Sequence, residues 1–275
     1  MIKSFAKLNL HLGVLSKQNS EYHKIETIVL FADIYDEIEI KFSKSKNHKV
    51  TFLGRFRKGI GKNNTILKLL NTLDKMNLLN NKKMFIKIKK NIPSKSGLGG
   101  GSMNAASILR FLIKKLNIKL NKNLINKICY NIGSDVIFGI SHKPKILLSN
   151  REVSKINQKI FFYLIVIKPE FGCKTSKIYK NVKLFSSPLK MTNKLKIQNF
   201  KNLRNDLEKP AFQLYPTLQN LKADMENIPN ISFARMTGSG STIIGYFQRR
   251  KDAIYGTKYL KKKYNNYWCI LSKTI

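Results

Sequence analysis

Four glycines fall within five positions in the run from Ser94 to Ala106: Gly97, Gly99, Gly100 and Gly101. The run reads Ser-Lys-Ser-Gly-Leu-Gly-Gly-Gly-Ser-Met-Asn-Ala-Ala. Met84, Ile86 and Ile88 alternate ahead of it and lead in through Pro93. Behind it, Ala105, Ile108, Leu109, Leu112 and Leu116 recur at helical spacing. Glycines let backbone N–H groups converge on one point without side chains in the way. A helix starting at Ser102 or Met103 adds its own unpaired N–H groups and the positive end of its dipole. Such a combination takes phosphate. The run is not a P-loop, because no Gly-Lys-Ser/Thr closes it. Nor is it the dinucleotide fingerprint: counted from Gly97, the third glycine would fall on Ser102. Read locally, the alternative is a flexible loop or a hairpin, although hairpins rarely need three consecutive glycines directly before a helix.

Other residues could do chemistry beside it. Lys7 sits inside an apolar strand between Ala6 and Leu8, where a buried lysine needs a partner. Asp135, in Gly133-Ser134-Asp135 ahead of Val136, reads locally as a helix start. Ser102 reads as a helix cap, a role compatible with contacting a bound anion. Tyr22-His23 reads as an exposed turn, and Gly238-Ser239-Gly240-Ser241 as a tight turn between strands. His11, His48 and His142 show no paired spacing. Cys129, Cys173 and Cys269 lie too far apart for zinc or redox motifs, and are expected as reduced thiols.

These residues need elements to hold them. Alternation predicts strands over 2–10, 34–42 and 50–53, and apolar spacing predicts a helix over 64–79 capped by Asn64. Helices follow the glycine run and cover about 121–131, and the Gly133 turn leads into a new one. Near residue 150 the pattern restarts. A strand over Ile160 to Ile167 is followed by helices at about 174–182 and 205–226. Strands at 231–236 and 242–247, a helix at 251–263 and a strand near 267–272 close the chain. The expectation is an α+β protein of two domains, 1–150 and 151–275. No apolar stretch approaches the length of a membrane span. The first residues alternate like a strand and carry no signal-peptide cleavage site. With 52 Lys+Arg against 15 Asp+Glu, the formal charge is +37. The excess is nearly all lysine and spread over the chain, as an AT-rich coding bias would leave it. Its field draws anionic substrates inward.

Pro93-x-x-x-Gly97-Leu98-Gly99-Gly100-Gly101-Ser102-x-Asn104-Ala105-Ala106 resembles the ATP loop of the GHMP kinases, the galactokinase, homoserine, mevalonate and phosphomevalonate kinases. Further segments extend the likeness over nearly the full length: Ala6-Lys7-Leu8-Asn9-Leu10, Tyr22-His23 with Glu26-Thr27, Ile132 to Val136, Asn205-Asp206-Leu207-Glu208 and Met236 to Ser241. They resemble the branch that phosphorylates the 2-hydroxyl of 4-diphosphocytidyl-2-C-methyl-D-erythritol, in the non-mevalonate route to isoprenoids. The resemblance implies a two-domain GHMP kinase fold: an N-terminal ribosomal protein S5 domain 2-like fold, a C-terminal ferredoxin-like α/β sandwich, and an active site in the cleft between them.

The same resemblance implies ATP as donor and Mg²⁺ as its ion. The ATP loop would be Pro93, Ser94, Lys95, Ser96, Gly97, Leu98, Gly99, Gly100, Gly101, Ser102, Met103 and Asn104, with Ser102 a metal candidate. Asp135 would take the proton of the acceptor hydroxyl, and Lys7 would pair with Asp135. Asn9, Tyr22, His23, Thr175, Tyr179, Gly238, Ser239 and Gly240 would hold the cytidine diphosphate substrate. No specific nucleic acid and no membrane are implied. A monomer or homodimer in the bacterial cytoplasm is expected.

The chain departs from the pattern at three places. Met103 replaces a common serine, which predicts weaker nucleotide binding. Lys95 and Ser96 replace small residues, and Glu21 replaces the glycine before Tyr22. Two other readings compete: another small-molecule kinase of the same fold, of mevalonate or homoserine type, and a non-catalytic basic protein that binds RNA, which would show a steep salt dependence.

Overall fold

A computed structural model describes residues 1–18, 22–61, 63–150, 152–189 and 200–275. The chain forms two compact units that share its length in alternation. The first takes Met1–Lys7, Ile34–Ser94 and Gly99–His142; the second takes Leu8–Asp33, Lys95–Leu98 and Lys143–Ile275. Two long strands, β1 (Ile2–Gln18) and β2 (Tyr22–Ser43), run through both.

In the first unit β2 pairs antiparallel with β4 (Lys83–Lys89), Ile38 opposite Ile88. β3 (Lys49–Leu53) lies parallel on the other side of β4, Val50 opposite Ile86. Helices α1 (Thr65–Lys75), α2 (Gly100–Lys115) and α3 (Lys122–Ile132) belong to the same unit. Leu69, Leu70 and Leu73 of α1 and Ile108, Leu109 and Leu112 of α2 are fully buried, as their spacing requires. Asn64 caps α1, its side-chain oxygen accepting from the N–H groups of Ile66 and Leu67, both at 3.1 Å.

In the second unit β2 pairs with β5 (Lys145–Leu147), which pairs with β6 (Val153–Lys155). A separate antiparallel sheet holds β7 (Tyr163–Lys168), β8 (Phe233–Met236), β9 (Ile243–Phe247) and β10 (Trp268–Lys273) in the order β10-β7-β9-β8. That order is fourth, first, third, second, the split βαβ arrangement of a ferredoxin-like sandwich. α4 (Thr175–Lys180), α5 (Glu208–Leu214), α6 (Pro216–Glu226) and α7 (Arg250–Lys263) complete the unit. Ile165 and Ile167 of β7 share one core with Leu218, Leu221 and Met225 of α6 and Leu260 of α7.

Several elements differ from the expectation, each for a local reason. The helix expected over 205–226 is two helices broken at Tyr215, because Pro216 opens α6 at its first position and has no N–H to continue α5. The strand expected from Ile160 starts at Tyr163. Residues 160–162 are held by Thr274 instead: its hydroxyl accepts from Phe162 N–H and donates to the Ile160 carbonyl, both at 3.0 Å. α2 starts at Gly100, capped by Gly99 in the left-handed region, so Ser102 is not its cap. Asp135 opens no α-helix but a single 3₁₀ turn, Val136–Ile140. There, a Cβ on Gly139 would stand 2.5 Å from the Ala106 Cβ of α2.

Candidate active site

In the first unit the glycine run ends in the first turn of α2. Gly99 has φ +66°, and a Cβ there would stand 2.6 Å from Lys7 Cγ and 3.0 Å from Lys7 Cε. The Lys7 stem therefore lies across the face of Gly99, a close approach only glycine permits. The first helical hydrogen bond runs from Met103 N–H to the Gly99 carbonyl at 2.9 Å. The amides of Gly100, Gly101 and Ser102 precede it and point out of the helix start, where the dipole is positive.

Lys7 Nζ reaches Asp135 Oδ2 at 3.1 Å. The Lys7 side chain is 5% exposed and that of Asp135 36%. The cation is thus fixed inside while the carboxylate stays open to a ligand. A lysine inside an apolar strand needs a partner, and Asp135 is one for Lys7. Ser102 Oγ lies near Gly133, 3.9 Å from where a Cβ would stand, on the Asp135 side of the helix start.

Two loop residues point elsewhere. Met103 is buried, its Sδ 3.2 Å from the Cβ position of Gly139. Its side chain packs the 3₁₀ turn rather than the loop surface, so the expected loss of a phosphate contact has no geometric basis at this side chain. Asn104 is buried as well, and its Nδ2 donates to Asp36 Oδ2 at 2.9 Å.

In the second unit the leading half of the loop, Lys95–Leu98, is docked by its backbone. A Cβ on Gly97, at φ +77°, would stand 2.0 Å from the Thr237 carbonyl oxygen. Thr237 Oγ1 donates to the Gly97 carbonyl at 3.3 Å and accepts from Asn9 N–H at 3.0 Å. Asn9 Nδ2 donates to Thr27 Oγ1 at 2.8 Å. Asn205 Nδ2 donates to the carbonyls of Met236 and Gly238, each at 2.8 Å, while Glu208 accepts from Met236 N–H at 2.7 Å. The stretch Asn205 to Glu208 therefore shapes the turn that carries Gly238, Ser239 and Gly240. Thr27, Thr237 and Asn205 had no role assigned from sequence; their signal was only their place inside the quoted motifs.

Thr175 Oγ1 meets Ser239 Oγ at 2.8 Å. His23 and Tyr179 bring their rings to 5.0 Å between centroids, tilted by 39°. Burial, and then the charge of Lys17, lower the His23 pKa from 6.5, which leaves the ring neutral at pH 7 with one donor and one acceptor. The structure thus joins Thr175 to Ser239 and Tyr179 to His23. Tyr22 begins β2 but its side chain, like Glu21, lies outside the described residues.

Residues 64–144 match the model of the GHMP kinases N terminal domain, and residues 193–266 that of the GHMP kinases C terminal. A Pelagibacter ubique protein named 4-diphosphocytidyl-2-C-methyl-D-erythritol kinase is 50% identical over 277 residues, covering 100% of this chain and 98% of that one. The chain belongs to the 4-diphosphocytidyl-2-C-methyl-D-erythritol kinase family. A member from Petrotoga mobilis is 33% identical over 88% of this chain and 96% of its own. A crystal structure of 4-(cytidine 5'-diphospho)-2C-methyl-D-erythritol kinase matches with a TM-score of 0.80, at 21% identity over 99% of this chain and 98% of that one. L. major mevalonate kinase, solved in complex with R-mevalonate, matches at TM-score 0.72 and 15% identity over 99% of this chain and 95% of its own. These two likenesses carry the fold. The two-domain GHMP kinase fold expected from sequence is the fold of this chain.

Proposed function

We propose that this chain transfers the γ-phosphoryl group of ATP to the 2-hydroxyl of 4-diphosphocytidyl-2-C-methyl-D-erythritol. As a member of its family the chain is a phosphotransferase acting on an alcohol, with ATP as donor. The observation that carries the reading is the Lys7–Asp135 pair, 3.1 Å apart, with the Lys7 stem lying on Gly99 at the start of α2.

ATP supplies the phosphoryl group, and Mg²⁺ neutralises the phosphate oxygens during transfer. Among the described residues no three His, Cys, Asp or Glu side chains gather to hold a metal. Ser102, whose hydroxyl lies on the Gly133 side of the helix start, would be the protein residue to meet an ion carried in on the phosphates. Residues 93–104 form the loop that holds the phosphates, with the amides of Gly100, Gly101 and Ser102 at the start of α2 as its donors. Asp135 orients the acceptor hydroxyl and takes its proton, a task that asks for position more than for basicity because the transition state is loose. Lys7 keeps Asp135 oriented and stabilises charge on the transferred group. Asn9 and the turn from Gly238 to Gly240 face the diphosphate end. Tyr22, His23, Thr175 and Tyr179 hold the cytidine: a neutral His23 reads the edge of an uncharged base, and the Tyr179 ring stacks on its face. In this reading 1–150 is the N-terminal, ATP-binding domain and 151–275 the C-terminal domain, both supply residues to the acceptor, the partners are small molecules, and the chain works in the cytoplasm as a monomer or homodimer.

The test offers the purified protein ATP and Mg²⁺ with 4-diphosphocytidyl-2-C-methyl-D-erythritol, mevalonate or homoserine, and follows ADP release and ³¹P spectra. A new phosphomonoester on the first acceptor alone supports the proposal. Turnover of another acceptor, or of none, overturns it.

A further inference from the structure

Asp36 lies on β2 in phase with Ile34 and Ile38, and is fully buried with them. Lys90 follows Met84, Ile86 and Ile88 in the same alternation just past β4, and is 4% exposed. The antiparallel register that sets Ile38 opposite Ile88 brings these two charges together, and Lys90 Nζ donates to Asp36 Oδ2. Asp36 Oδ1 also accepts from the backbone N–H groups of Asn91 at 2.7 Å and Ile92 at 2.9 Å. Asn104 Nδ2 reaches Asp36 Oδ2 at 2.9 Å from the first turns of α2. One carboxylate therefore holds both the residues that lead into the glycine run and the residue that follows it. Lys90 Nζ stands under the run as well, 3.2 Å from where a Gly100 Cβ would be.

We propose that Asp36, with Lys90 and Asn104, is a positioning group for the nucleotide: a buried clasp that fixes the separation of the two ends of the phosphate loop and the direction of its amides. A pair buried only for stability needs one donor and one acceptor. This carboxylate instead takes two consecutive amides at the leading end of the loop and a side-chain amide at the trailing end. A loop with three consecutive glycines costs more backbone entropy to order than any other, so its ends must be held if its amides are to converge before the anion arrives. The proposal rests on the reading of residues 93–104 as the ATP loop.

The test measures binding of a non-hydrolysable ATP analogue with Mg²⁺ by calorimetry, and KM for each substrate. Asn104→Ala removes the trailing-end bond without leaving a charge unpaired. It is expected to weaken nucleotide binding roughly tenfold, the size of a lost hydrogen bond to a charged group, with the KM of the alcohol acceptor within twofold of wild type. Asp36→Leu/Lys90→Met replaces the pair by apolar side chains, which buried pairs tolerate. It is expected to weaken the nucleotide further, while Asp36→Asn/Lys90→Met, whose amide oxygen still accepts from Asn91 and Ile92, recovers most of the loss. Folded variants that bind the analogue like wild type, or that raise both KM values equally, overturn the proposal. A wild-type protein that does not bind the analogue overturns the ATP-loop reading itself.

Discussion

Gly99→Ala tests the position of Lys7, with a control for the backbone strain it adds. The new methyl group would stand 2.6 Å from Lys7 Cγ and 3.0 Å from Cε. Carbon atoms pack at about 3.5–4.0 Å, so the Lys7 stem must retreat by about 1 Å. That stem carries the ammonium now 3.1 Å from Asp135. A displacement of about 1 Å at a reacting group costs on the order of 10²-fold in rate, or about 2.7 kcal/mol of barrier. Alanine at φ +66° adds left-handed strain of about 1–2 kcal/mol. That strain lowers the melting temperature by about 2–8 °C for a chain of this size. Gly59 supplies the control: it has φ +78° with nothing within 4 Å of its Cβ position. Gly59→Ala should lose similar stability and keep its kcat. The assay is kcat at saturating ATP and acceptor, beside a thermal melt. If folded Gly99→Ala turns over within threefold of wild type, the Lys7 stem does not set the reacting geometry and the reasoning fails.

Other outcomes follow from the same geometry. Gly97→Ala would drive a methyl group to 2.0 Å from the Thr237 carbonyl, and overpacking with left-handed strain should cost about 2–5 kcal/mol in urea unfolding. Tyr179→Ala, which strips the ring 5.0 Å from His23, should raise KM for the cytidine acceptor about tenfold to a hundredfold, the worth of a stacked base, and leave KM for ATP unchanged. His11, fully buried and 3.8 Å from Glu26, is lowered from 6.5 to about 4 by burial first and then by Arg204. Above pH 6.5 both folded and unfolded chains are neutral there and stability is complete. As pH falls from 6.5 toward 4 the unfolded chain takes up a proton that the folded chain refuses, and up to about 3 kcal/mol is lost. Glu26, raised by its own burial, works in the opposite sense, and its effect begins only near the carboxylate range. Melts from pH 7 to 5 should show the loss, and His11→Gln should flatten it.

The chemistry of the site was legible where one residue type at one spacing admits few uses. Three consecutive glycines before a helix pattern stand at the start of α2, and the lysine inside an apolar strand pairs with Asp135. The fold was legible in its elements but not at their ends. Pro216 could have marked the break between α5 and α6, since a proline favours the first position of a new helix. The cap at Gly99 was not legible, because the Lys7 stem that leaves no room for a side chain there is remote in sequence. Asp36 and Lys90 were written plainly enough: each sits on the apolar phase of its own strand. A charge on that phase needs an opposite charge on the neighbouring strand, and the missing knowledge was which strands are neighbours. The directions of Met103 and Asn104 were likewise hidden, because both are decided by contacts with Gly139 and Asp36 across the unit.

The central claim is that Lys7 and Asp135 act as one unit on the acceptor hydroxyl. A double-mutant cycle on kcat with 4-diphosphocytidyl-2-C-methyl-D-erythritol tests it most directly, using Lys7→Met, Asp135→Asn and the pair. Each single variant should lose about 10²–10⁴-fold, the worth of a positioned acid–base group, and the double variant little more than the worse single, as for residues that act together. Independent losses that multiply in the double variant, or a single variant that keeps near wild-type turnover, would contradict it.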